Sequence, residues 1–89
     1  MPRDLRFIGA HAFEGCIRLQ KVDLPNGLLQ IGKEAFKKCE QMKTLYIPST
    51  VVHIGGNAFS ECGNLTILCK ENSYAANWLA QHNIPFQFL

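Results

Sequence analysis

Five columns of this 89-residue chain are identical in three successive copies, each copy following at the interval that separates Ile8 from Ile31. They are Ile8, Ile31 and Ile54; Gly9, Gly32 and Gly55; Ala12, Ala35 and Ala58; Phe13, Phe36 and Phe59; and Cys16, Cys39 and Cys62. Leu19, Met42 and Leu65 keep their chemistry in a further column, as do Val22, Leu45 and Leu68. Leu24 with Ile47, Pro25 with Pro48, and Leu28 with Val51 recur in two copies, and Pro2 and Leu5 enter in the same register. A unit this short cannot bury its own apolar face, so the copies must stack on one another.

The apolar pattern changes within a unit. Val22-Asp23-Leu24 and Leu45-Tyr46-Ile47 alternate as half-buried strands do, and each stops at a proline that cannot donate to a ladder. Asn26-Gly27 and Ser49-Thr50 supply turn residues, and a second extended piece follows at 28–31 and 51–54. The glycine after each isoleucine suits a corner that needs positive φ. Lys33 to Cys39 reads as one or two turns of helix, with Ala35, Phe36 and Cys39 on one face. The expected fold is α/β: a short right-handed solenoid with parallel strands.

Read from Ile8 to Pro25, the pattern Ile-Gly-x-x-Ala-Phe-x-x-Cys-x-x-Leu-x-x-Val-x-Leu-Pro resembles the BspA-type leucine-rich repeat. It returns, conservatively varied, from Ile31 to Pro48, and the resemblance covers nearly the whole chain. The stretch from Asn72 to Phe86 is similar to that family's usual ending. The third copy departs after Leu68, where Cys69-Lys70-Glu71 replaces the apolar-Pro pair. The division expected is tandem repeats over 1–71 and a C-terminal cap over 72–89. In the cap, Asn72 or Ser73 is the N-cap of a helix whose buried face carries Tyr74, Ala75, Trp78, Leu79 and His82. Asn83 is its left-handed stop, and Ile84 to Phe88 alternate like an edge strand.

Four cysteines in so short a chain raise the question of disulfides or zinc. Cys16, Cys39 and Cys62 each lie a full repeat from the next, unlike the close pairs of a zinc site. On stacked rungs their side chains run parallel, which works against the near-right-angle dihedral of a disulfide. A ladder of buried thiols is the expectation, with Cys69 outside it as the one cysteine that alternation leaves open to solvent. His11, His53 and His82 fall at unrelated positions of the repeat and converge with no nucleophile or carboxylate. No catalytic residue, cofactor site or metal site is assigned, and the chain is not read as an enzyme.

A net charge of +2 is too small for a nucleic-acid binder, and no apolar run is long enough for membrane insertion. The residues Pro2-Arg3-Asp4-Leu5-Arg6 lack the apolar core of a signal peptide. What remains is surface. The alternation turns Lys21 and Asp23, then Thr44 and Tyr46, then Ile67 and Cys69 outward on one face, the kind along which repeat arrays bind partners. Tyr46 is the leading binding residue, since tyrosine offers area and a hydroxyl at low entropy cost. The expected role is protein-protein interaction or adhesion with a protein partner, in the end piece of a longer array; the alternative is a purely structural cap. The resemblance implies a secreted or cell-surface parent. Ile8, Phe13, Cys16 and Leu19 have no preceding rung over them, so either further repeats or a homodimer through this N-terminal end is expected to cover them.

Overall fold

The computed structural model describes residues 2–89. Each repeat closes one loop of chain, and each loop lays two extended pieces against the next. One set of pieces forms a parallel three-stranded sheet of β1 (Phe7–Ile8), β2 (Gln30–Ile31) and β4 (His53–Ile54), in that order. Its register pairs Ile8 with Ile31 and Ile31 with Ile54, so the isoleucine column is a physical stack. The other set forms a parallel sheet of β3 (Thr44–Tyr46), β5 (Thr66–Cys69) and β6 (Phe86–Phe88). The first copy joins this second sheet only at a single bridge, Lys21 to Thr44. At the proline of each repeat the chain turns through the same bond: Leu5, Leu28 and Val51 donate to the carbonyls of Pro2, Pro25 and Pro48.

Between the two sheets runs the core. Leu28, Ile31, Ala35, Phe36, Cys39 and Ile47 are fully buried, one rung's worth of repeated columns. The phenylalanines stack face to face along the pile, Phe13 on Phe36 at 5.2 Å and Phe36 on Phe59 at 5.8 Å between ring centroids. Interplanar angles of 6° and 9° show that each ring repeats the pose of its predecessor. Trp78 of the terminal helix meets Phe59 edge-on at 6.1 Å, and His82 stacks on Trp78, so the aromatic column runs on into the C-terminal segment.

The segment from Lys33 to Cys39 is not helical, contrary to the sequence expectation. It is a run of tight turns in which Ala35, Lys37 and Cys39 donate to the carbonyls of Gly32, Glu34 and Phe36. Positive φ at Glu34 (55°) and Lys38 (63°) breaks any continuous helix, and the same columns carry it at His11 and Asn57 and at Gly15 and Glu61. The remaining N–H groups of the segment point along the stack: Glu34, Phe36 and Lys38 donate to Gly56, Ala58 and Ser60 of the next rung. Inter-rung bonding thus replaces the bonds a helix would have made internally. The sequence concealed this because the left-handed columns hold His, Glu, Asn, Lys and Gly rather than glycine throughout.

The glycines at the corners also have another reason than the one expected. Positive φ falls on Gly15, Gly27 and Gly63, not on Gly9, Gly32 or Gly55. A Cβ on Gly32 would lie 2.5 Å from the backbone nitrogen of Ala10 and 2.6 Å from the carbonyl carbon of Gly9. A Cβ on Gly55 would collide likewise with the backbone of Lys33. These glycines are required by the close approach of one rung's backbone to the next.

The terminal helix follows the sequence reading except at His82, which was expected on its buried face but lies just past its last residue and is exposed. Helix α1 (Tyr74–Gln81) begins at Ser73, whose hydroxyl accepts from the Ala76 N–H at 3.1 Å and donates to the Lys70 carbonyl at 2.7 Å. Ala75, Ala76, Trp78 and Leu79 are buried, while Asn77 and Gln81 face outward. Asn83 stops the helix at φ 58°, and β6 then pairs in parallel with β5.

Candidate functional site

The face expected to bind lies on the second sheet. Lys21, Asp23 and Thr44 are exposed there, and Tyr46 is half-buried rather than fully exposed. These four line one shallow depression of about 340 Å³. Its origin is the single bridge at Lys21: beyond it residues 22–24 separate from β3, while Val22 and Leu24 stay anchored beneath. The 20–24 segment forms one wall, and Lys43, Thr44 and Tyr46 form the other. Lys21 Nζ and Asp23 Oδ1 are 3.9 Å apart and both strongly exposed, so this pair contributes little to stability and leaves both charges available at the rim. The depression offers an aromatic wall, the hydroxyls of Thr44 and Tyr46, two lysines and one carboxylate.

Ile67 and Cys69 do not belong to that face. Both are buried, at 1% and 0% exposure, and the outward positions of the third rung are Thr66 and Leu68. The register explains it: Thr44 pairs with Thr66 and Leu45 with Ile67, one position short of the interval kept between Lys21 and Thr44. The third copy is one residue shorter before its strand, with Gly63 at φ 64° in the tightened connection. A one-residue slip reverses every side chain of a strand. The repeated Lys-Thr-Leu and Leu-Thr-Ile triplets at 43–45 and 65–67 carried this offset, but the apolar run Ile67-Leu68-Cys69 hid it.

Three of the four cysteines are buried. Cys39 Sγ donates to the Phe13 carbonyl and Cys62 Sγ to the Phe36 carbonyl, each at 3.1 Å, so each thiol ties its rung to the preceding phenylalanine. Burial pushes the Cys39 thiol up to about 11 and raises Cys62 and Cys69 in the same direction. Cys69, expected to be exposed, is fully buried in β5, opposite Phe88 of β6 in the ladder and beside Ser73. Only Cys16 is partly open. In native buffer a thiol reagent should therefore modify Cys16 rapidly and the other three slowly, with all four reacting after denaturation; labelling of Cys69 as fast as Cys16 would contradict the burial. The thiols also set a pH dependence. Protonated thiols are favoured in the folded state above the ordinary value of 9.0, so stability is full below about pH 9 and falls as pH rises towards 11.

Elsewhere the polar groups form surface pairs. His11 Nδ1 lies 2.6 Å from Glu14 and 3.5 Å from Glu34, and Lys37 Nζ donates to Glu34 at 2.9 Å. The Lys37 hydrogen bond holds the Glu34 carboxyl below its ordinary value and raises Lys37 reciprocally. Among the described residues no three His, Cys, Asp or Glu side chains are grouped to hold a metal ion, and no helix is long and apolar enough to cross a membrane.

Comparison with known proteins agrees with the stacking. The model of the BspA type leucine rich repeat region, which describes six copies, matches residues 1–77. The crystal structure of the T. pallidum leucine rich repeat protein superposes with a TM-score of 0.75 at 33% sequence identity, over 76% of this chain. That match takes in 32% of the T. pallidum chain, so the present chain corresponds to about a third of it. No curated protein sequence matches.

Proposed function

Because the chain belongs to the BspA-type leucine-rich repeat family, we propose that it is a protein-interaction module at the closed end of a longer surface-protein array. It binds a protein partner through the depression between residues 20–24 and β3. The observation that carries this reading is the position of Lys21, Asp23, Thr44 and Tyr46 around one opening, where the first rung parts from the sheet. A half-buried tyrosine anchored in a wall presents its ring without a large loss of rotamer freedom, as interface hot spots do. Adhesion at a secreted or cell-surface location is the biological setting proposed, on the strength of the family. The repeat columns are spent on stacking, which supports binding over catalysis. The alternative is a structural role for the cap alone, favoured by the polar outer residues Asn77 and Gln81 over a buried Trp78.

A pull-down from extracellular extracts separates the two. Tyr46→Ala should lower retention of a partner at least about tenfold, as truncation of a hot spot does, with His53→Ala on the first sheet as control. Equal retention by both variants, with folding intact, would leave only the structural role.

A further inference from the structure

The opening beside Tyr46 is a seam left unzipped in the second sheet. The Lys43 carbonyl accepts from Thr66 and Ile47 donates to the Leu68 carbonyl, so these groups of the 43–47 segment are spent on β5. Backbone groups alternate in direction along a strand, so Tyr46 turns its N–H and C=O the other way, towards residues 22–24. A continued ladder would give that N–H to the Val22 carbonyl and that C=O to the Leu24 N–H. Neither bond forms. Pairing with the first rung ends at the Lys21–Thr44 bridge, and none of the four groups has a partner among the described residues. The first sheet has no such seam: past its paired residues Gly32 still donates to Ile8, and Gly55 to Ile31. Two donors and two acceptors of an interrupted ladder therefore border one depression of about 340 Å³. Its rim is unevenly charged. Asp23 lies 3.9 Å from Lys21, while Lys43 makes no ion pair among the described residues.

We propose that the partner is held by an extended acidic segment, which pairs its backbone with Tyr46 where residues 22–24 do not and sets a carboxylate against Lys43. An extended peptide carries N–H and C=O groups at the spacing a strand edge asks for, and strand addition draws its affinity from those main-chain bonds. A helix cannot answer Tyr46 in this way, because its backbone groups are spent on one another. A partner surface that touches side chains alone leaves the Tyr46 N–H and C=O to water. Lys21 and Lys43 at the rim oppose a basic segment and favour an acidic one. This inference rests on the depression as the binding site, and it adds the chemistry by which a partner is held there.

The test uses three synthetic octapeptides: alternating threonine and glutamate, alternating threonine and lysine, and the glutamate peptide with every backbone nitrogen methylated. Hydrogen exchange of the full chain, followed by NMR, should find the Tyr46 amide fast in the free protein and slowed at least about tenfold by the glutamate peptide. The lysine peptide and the methylated peptide should not bind. Lys43→Glu should weaken binding of the glutamate peptide at least about tenfold, since it reverses the charge that selects it. Four results would each overturn strand addition: a bound glutamate peptide that leaves the Tyr46 amide fast, equal binding of the methylated peptide, equal binding to Lys43→Glu, or no binding of the glutamate peptide. In any of these cases, a partner lost from Tyr46→Ala in the pull-down would still uphold the depression as the site. The two readings therefore fail separately.

Discussion

Phe36→Ala should bring the protein to the edge of unfolding. Phe36 is fully buried at the centre of the stack, with Phe13 on one face and Phe59 on the other. Truncating a buried phenylalanine costs about 3–5 kcal/mol through lost transfer and the cavity left behind. The total stability expected for a chain of this size is only about 5–13 kcal/mol. The rungs on both sides are held apart by backbone bonds, so the cavity cannot collapse. Phe13→Ala, at the half-buried end, should cost markedly less. Urea unfolding of the two variants checks the order; equal losses would mean that the ladder carries no central load.

The second large effect belongs to a residue with no side chain. Gly55→Ala should lose about 2–3 kcal/mol, the range for a methyl forced into a filled space. The colliding atoms are the Lys33 backbone and the Gly32 carbonyl carbon, which lies 2.8 Å from the new Cβ and cannot turn aside as a flexible side chain would. Conformational entropy alone would favour alanine here, because Gly55 has no positive φ. Gly56→Ala isolates the steric term: its Cβ meets nothing within 4 Å, so stability should stay level or rise slightly. Thermal melts of the adjacent pair measure the cost of close rung packing directly.

Both predictions draw on what the sequence made legible and on what it did not. The stack, its spacing, the isoleucine and phenylalanine columns, the buried thiols of Cys39 and Cys62 and the terminal helix bounded by Ser73 and Asn83 could all be read from periodicity and capping chemistry. Part of the candidate site could be read as well: Lys21, Asp23, Thr44 and Tyr46 follow from alternation. Ile67 and Cys69 were misplaced because the apolar run that contains them gives no sign of which side faces inward. The depression itself was invisible, since it arises where the first copy makes one bridge to its neighbour instead of a ladder.

Identity at a fixed interval determined by itself that this chain builds rungs, since only equivalent surroundings ask for the same residue in each copy. It could not determine how those rungs meet. Whether N–H groups at 33–39 bond within a helix or across to the next loop depends on backbone angles that glutamate, lysine and asparagine do not advertise. The approach that makes Gly32 and Gly55 obligatory is a distance between segments one whole repeat apart in the chain. The reversal of Ile67 and Cys69 turns on a single missing residue before β5. Each is a relation between neighbouring rungs, and it exists only once they are stacked.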